Sequence, residues 1–284
     1  MRQPTPPRPD RRRRAPTAAR LGAGLAQAAG LAISSGSVDG SLTFHAGANG
    51  AQLANGASIA DASGPDFLRG VGRLDASNAL AGAGRSTTLG QLWSGSASLD
   101  ASDARRLRFA IGATSMLTLS GNGQFGGGTD LSNLLLDAEL AVTSTGDAVG
   151  TAVRLVFSGT AESRVNTTGP LLDVTPTFDL VVRDGMSNIL ASWQGLAVGS
   201  SATFSVSLDT RVGDSLSFSL SHDSTSLLGS ASSLAAGGDT LETTALLSGT
   251  VQVTAVPEPE SYALFLAGLA ALGLLHKRQS QRRR

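Results

Sequence analysis

Thr203-Phe204-Ser205-Val206-Ser207-Leu208 and, beyond Asp209–Ser215, Leu216-Ser217-Phe218-Ser219-Leu220 decide the fold class. In both runs an apolar residue stands at every second position, with Ser or Thr between. A period of two gathers the apolar side chains on one face of a strand, whereas a helix needs them three and four apart. The stretch between the runs contains Gly213-Asp214, a turn signal, so the pair is expected to form a hairpin.

The same period recurs outward from this pair. Leu107, Phe109 and Ile111 alternate with Arg106, Arg108 and Ala110, and Leu136, Ala138, Leu140 and Val142 alternate next. Val153, Leu155 and Phe157 follow, and Val251 and Val253 close the series. Gly121-Asn122-Gly123, Gly126–Gly128, Gly146-Asp147 and Asp184-Gly185 punctuate the runs, the last ending a strand around Leu180-Val181-Val182. One apolar face and one Ser/Thr face per strand predict a mainly β protein. The expected architecture is an antiparallel β-sandwich, jelly-roll or immunoglobulin-like. We divide the chain into a basic leader with a weak signal-peptide-like segment (1–33) and a Gly/Ala/Ser-rich stretch of edge strands or partial disorder (34–84). The sandwich ectodomain (85–254) and a C-terminal tail (255–284) follow.

The formal net charge of zero hides a segregation. Seven basic residues lie at or before Arg20 and five at or after Lys277, leaving ten against nineteen acidic residues in 21–256, a body charge of −9. An acidic body offers no face for nucleic acid. Cysteine is absent, which excludes disulfides, thiolate metal sites and Cys nucleophiles in this chain.

Catalytic chemistry finds little support. His222-Asp223 beside Ser221 and Ser224 has the residue types of a triad, but neighbours in sequence seldom converge in space. The glycines of Gly121–Gly128 have no Lys-Ser/Thr after them to cradle phosphate. Asp209, Asp214, Asp223, Asp239 and Glu242 suit calcium by ligand type. No calcium-loop signature accompanies them, so solvated turn carboxylates are the expected reading. Trp93 and Trp193 are either core residues or platforms for sugar rings. We expect no enzyme, no cofactor and no metal.

The tail is the strongest signal. Val256-Pro257-Glu258-Pro259-Glu260-Ser261 precedes the uncharged run Tyr262-Ala263-Leu264-Phe265-Leu266-Ala267-Gly268-Leu269-Ala270-Ala271-Leu272-Gly273-Leu274-Leu275. A basic stop follows at Lys277, Arg278, Arg282, Arg283 and Arg284. As a helix the run spans about 21 Å, short against a hydrocarbon core of roughly 30 Å. Thinning of the bilayer and snorkelling of the flanking cations accommodate such a span, so a single short transmembrane helix is expected. The cations hold the C-terminus on the cytoplasmic side. Pro257 and Pro259 favour extended backbone around Glu258, a form that a processing enzyme's cleft can read.

These residues resemble the tails of PEP-CTERM proteins of Gram-negative bacteria. The resemblance covers Val256–Pro259, Ser261–Leu264, Gly268–Ala270, Leu272–Leu274 and the basic end, about the last tenth of the chain. It implies recognition near Pro257-Glu258-Pro259 by exosortase, an integral-membrane Cys-dependent protease or transpeptidase. It also implies transient residence in the inner membrane with the ectodomain in the periplasm, then release to the cell surface or matrix. An exopolysaccharide and biofilm setting is implied too, with a structural or adhesive body. A carbohydrate-binding module is the alternative, and a secreted hydrolase a disfavoured third. The family shares its tail and little else, so the body's activity stays open.

Export requires a leader. Arg11–Arg14 and Arg20 form a basic region, and Leu21–Ile33 is weakly apolar and broken by Gln27. Ala26-Gln27-Ala28 and Gly30-Leu31-Ala32 are the candidate cleavage contexts.

Overall fold

The computed structural model describes residues 29–46, 51–55, 58–64, 66–82, 85–103, 105–121, 128–168, 171–195, 199–228, 239–256 and 266–272. Among them are thirteen strands: Ala29–Ala46 (β1), Ala51–Asn55 (β2), Ser58–Gly64 (β3), Phe67–Gly82 (β4), Arg85–Asp100 (β5), Arg106–Gly121 (β6), Gly128–Ser144 (β7), Ala152–Thr167 (β8), Leu171–Asp184 (β9), Ile189–Gly195 (β10), Ser201–Arg211 (β11), Ser215–Leu228 (β12) and Asp239–Ala255 (β13). They form two antiparallel sheets, one in the order β10-β9-β12-β7-β1-β2 and the other β11-β8-β13-β6-β5-β4-β3.

The alternating residues build the core between these sheets. Leu107, Phe109, Ile111, Leu136, Leu140, Leu155 and Phe157 are all buried, as are Val251 and Val253. Phe218 on β12 meets Phe109 on β6 and Phe157 on β8, with ring centroids 5.6 and 6.1 Å apart. Each such ring contributes roughly 1.5–3 kcal/mol by leaving water. The sandwich is therefore held by aromatic side chains that cross from one sheet to the other.

One row of the second sheet carries no side chain at its two central positions. Gly159 on β8 pairs with Gly249 on β13, with Phe204 opposite Gly159 and Phe109 opposite Gly249. The two outer rings lean over this glycine gap and meet at 6.2 Å. A Cβ on Gly249 would lie 2.5 Å from Phe109 Cζ and 2.6 Å from the Ser158 carbonyl oxygen. The glycines are fixed by this close approach, not by an unusual backbone.

The expected hairpin is not one. β11 pairs with β8, whereas β12 lies between β7 and β9 in the other sheet. The intervening turn is an arch from sheet to sheet. Alternation fixes which face is buried and is silent on which strand lies beside it. The sequence carries the sign of an arch: Thr210 and Val212 keep the inward phase through the turn, at 8% and 1% exposure. Val212 N–H donates to the Thr151 carbonyl and Gly213 N–H to that of Val142, which ties the arch to both sheets. Gly213 sits at φ +100°, where a side chain would be strained.

The sandwich also begins earlier than expected. β1 starts at Ala29, pairs with β7 along its length and places Leu31 opposite Val142, both buried. Residues 29–84 thus supply four strands, of which β1 is interior to its sheet and β3 is an edge. A leader reaching residue 33 and cleaved at Gly30-Leu31-Ala32 conflicts with this pairing. The Ala26-Gln27-Ala28 context lies outside the described residues. Edge strands are one of the two expectations for 34–84; the interior place of β1 is not, because small residues give weak alternation.

β1 starts and β13 finishes at the same end of the sandwich. Val256 N–H donates to the Ala152 carbonyl at 3.4 Å there, while Ala29 pairs with Ser144 across the β7–β8 connection.

Candidate functional site

The tail leaves the fold where β13 ends. Ala255 still pairs with Val153, and Val256 has left the sheet. Residues 266–272 are helical, and Leu266, Leu269 and Leu272 are exposed at 63%, 50% and 64%. Among the described residues no helix is long and apolar enough to cross a membrane. The motif Pro257-Glu258-Pro259, the residues Tyr262–Phe265 and Gly273–Leu275, His276 and the basic stop Lys277 to Arg284 lie outside the described residues.

The His222 group is divided by the strand that carries it. His222 points between the sheets, 1% exposed, whereas Asp223 lies on the outer face with its carboxylate accepting from Asn133 Nδ2. His222 Nδ1 is 3.1 Å from the Thr177 carbonyl oxygen, and its ring stacks on Phe178 at 4.5 Å. Burial pushes the imidazole below its ordinary value, against the pull of the Thr177 carbonyl and the Asp223 charge. Ser221 shares the outer phase of Asp223. Alternation therefore separates the very residues that adjacency seemed to unite.

The acidic residues are dispersed as well. Asp209 holds Arg154 in a two-pronged pair at 2.7 and 3.1 Å on the exposed face of the second sheet, which keeps its carboxyl below the usual range. Asp214 Oδ2 accepts from Thr210 Oγ1 and Arg211 N–H, closing the arch. Asp223 lies on the first sheet and Glu242 on the second. The side chain of Asp239 lies outside the described residues. No group of three metal-ligating side chains gathers among the described residues.

Neither tryptophan offers an open stacking surface. Trp93 is fully buried in a small cluster with Leu42, and Trp193 is half-buried, stacked on Phe204 at 4.7 Å.

Sequence reasoning missed that the interior is polar at the end far from Val256. Along β12 the inward series Leu216, Phe218, Leu220 continues as His222, Ser224 and Ser226. Gln91, Ser115, Ser132 and Thr243 join it from β5, β6, β7 and β13. The Trp93 indole N–H, the Gln91 amide and the Ser132 and Ser226 hydroxyls are buried without a protein partner. Trp93, Ser132, His222 and Ser224 line a cavity of about 10 Å³, large enough for one water molecule and for no substrate. The signal was present, since Ser132, Ser224 and Ser226 fall in the buried phase, but a Ser/Thr residue does not announce which face it occupies.

On the outer face of the first sheet, Ser41, Thr43, Asn133, Thr175, Thr177 and Asp223 line a shallow groove of about 310 Å³. Nearby, burial raises the Asp179 carboxyl, and the negative charge of Asp223 adds to the shift. The groove is rich in hydroxyl and amide groups and carries no ring.

Comparison with known proteins bears on the tail. No curated protein matches the chain. A solved structure titled "Structure of infectious bursal disease virus Gt strain" aligns at 11% identity over 82% of this chain and 79% of that one, with a TM-score of 0.18. The family model described as the PEP-CTERM protein-sorting motif matches residues 255–283, beginning at the last residue of β13. The motif implies an exported protein with a membrane-anchored precursor and exosortase as its processing partner. The chain carries a PEP-CTERM protein-sorting motif at its carboxyl end, joined directly to the last strand of a β-sandwich.

Proposed function

We propose that this is a surface or matrix protein whose tail is cut by exosortase near Pro257-Glu258-Pro259, and whose body is structural or adhesive in an exopolysaccharide or biofilm setting, without catalysis. In the precursor, Tyr262–Leu275 is a short transmembrane helix, the basic stop is cytoplasmic and the sandwich is periplasmic. The observation that carries this reading is the junction: the sorting motif starts where the last strand stops. Cleavage after Val256 removes no strand of the body, so the released protein keeps its fold.

The strand order supports a jelly-roll body over an immunoglobulin-like one. The order β11-β8-β13-β6 faces β10-β9-β12-β7, and from β6 to β13 each connection except β9–β10 changes sheet. That is the interleaving of two Greek keys, widened by β1–β5. Such a body presents broad Ser/Thr faces to solvent and a cavity too small for a substrate, which suits a structural element.

Replacing Pro257-Glu258-Pro259 by alanines tests the sorting claim. Full-length precursor is expected to accumulate in the inner-membrane fraction; unchanged processing would refute it.

A second reading, a carbohydrate-binding module, draws on the Asn133–Asp223 groove, whose hydroxyl and carboxylate groups suit sugar hydroxyls. Binding on a glycan array that is lost on Asp223→Ala would favour it. The burial of Trp93 and the half-burial of Trp193 count against it.

A further inference from the structure

The exposed apolar side chains at the tail end of the sandwich point to a surface for lipid. Val149, in the β7–β8 connection, is 80% exposed; Met186, at the tip of the β9–β10 turn, is 81% exposed; Ile189, just after it, is 60% exposed. An isolated exposed residue means little, but these three stand at or beside the β7–β8 and β9–β10 turns, at the end of the sandwich from which the tail departs. The local polar groups do not screen them. Asp184 accepts from Met186 N–H, Asn188 N–H and Asn188 Nδ2, while the Met186 side chain stays exposed. Asp214 is likewise turned inward to Thr210 and Arg211, and Arg211 Nη1 donates to the Gly150 carbonyl. Asp147, two residues before Val149, is half-buried, and the exposed charges at this end include Arg105 and Arg106 at the start of β6, beside the end of β13.

The occupant is indicated by where the chain leaves. Gly150 N–H donates to the Val212 carbonyl and Val256 N–H to that of Ala152, so the tail departs beside Val149. From Val256 to Tyr262, the first residue of the apolar run, six residue steps reach at most about 20 Å. While the tail is uncut, this end of the sandwich is confined to the membrane surface. β13 is 17 residues long, which at about 3.4 Å per residue holds the opposite end more than 50 Å away. We propose that Val149, Met186 and Ile189 form a lipid-contacting foot that rests in the bilayer interface of the uncleaved precursor and holds the sandwich upright over its cleavage site. The proposal rests on the sorting reading, because the tail supplies the tether.

The chain contains no cysteine, so V149C, M186C, E242C and L269C each give a single labelling site. Each full-length precursor would carry an environment-sensitive fluorophore and be reconstituted in phosphatidylethanolamine–phosphatidylglycerol vesicles. Quenching by a lipid-borne nitroxide would then be compared with quenching by aqueous iodide. The expected result is a blue shift and nitroxide quenching at 149, 186 and 269, with position 242, on β13 toward the far end, quenched by iodide alone. If 269 is quenched by lipid while 149 and 186 behave like 242, the foot is refuted and the sorting reading stands. If 269 is also untouched by lipid, the tail does not insert and both fall. Shielding of 149 and 186 that persists in detergent and grows with protein concentration would identify a second copy of the chain as the occupant and overturn the lipid proposal.

Discussion

Gly249→Ala is the sharpest test of the packing between the sheets. In most strands the change is favourable by about 0.4–1 kcal/mol, because alanine restricts the unfolded chain. Here the new methyl would sit 2.5 Å from Phe109 Cζ and 2.6 Å from the Ser158 carbonyl oxygen. The ring can shift, but the carbonyl belongs to the paired strand β8 and cannot withdraw without breaking the ladder. Overpacking of this kind costs about 1–3 kcal/mol. Moving Phe109 also weakens its contacts with Phe204 and Phe218, each worth about 0.5–1.5 kcal/mol. The net loss is about 1–3 kcal/mol, a fall in Tm of roughly 2–10 °C at this chain size. Thermal unfolding of the full chain in mild detergent, followed by circular dichroism, measures it. Gly185→Ala is the matched control: a Cβ there meets nothing within 4 Å, so Tm should hold or rise. A Gly249→Ala protein as stable as its parent would refute the claim that Phe109 and Phe204 close over a glycine gap.

His222 makes stability depend on pH. Its folded-state pKa is depressed below 6.5 by burial, so the unfolded chain takes up a proton first. Stability falls as pH drops below about 6.5, by at most about 1.4 kcal/mol per pH unit. In urea titrations at several pH values, His222→Leu should show a shallower acid slope than the parent; equal slopes would contradict the burial of His222. Asp179 has the opposite sign, since its folded pKa is raised above 3.8 by burial and by Asp223. Its ionisation therefore weakens the fold at neutral pH, and Asp179→Asn should raise Tm at pH 7, the difference vanishing below about pH 3.8; an unchanged Tm at pH 7 would count against this. Asp209 is held below the ordinary range by Arg154, but both groups are open to water, so Arg154→Ala should leave Tm almost unchanged.

The sequence made the strands legible and left their partners obscure. Phe204, Leu208, Leu216, Phe218 and Leu220 were assigned the correct face because burial follows the period of two. Their pairing was misread because Gly213-Asp214 serves a hairpin and an arch equally well, and only the buried Val212 at the turn separates the two. β1 was hidden for another reason: its register against β7 slips between Ile33 and Ser35, so buried Leu31 falls in one sequence phase and buried Val38 and Leu42 in the other. At Ser221–Ser224 a strand sends neighbours to opposite faces, which is the physical reason that adjacent residues of these types do not converge. The tail was legible because its signal is linear: proline, glutamate, an apolar run and arginines are read in order by a membrane and an enzyme, with no folding required.

The intact mass of the mature protein from its native host tests the central claim most directly. Removal of the tail predicts a chain that ends close to Pro257-Glu258-Pro259, retains every strand through Ala255 and carries whatever group the processing enzyme attaches. A mature protein whose mass still includes Arg284 would contradict it.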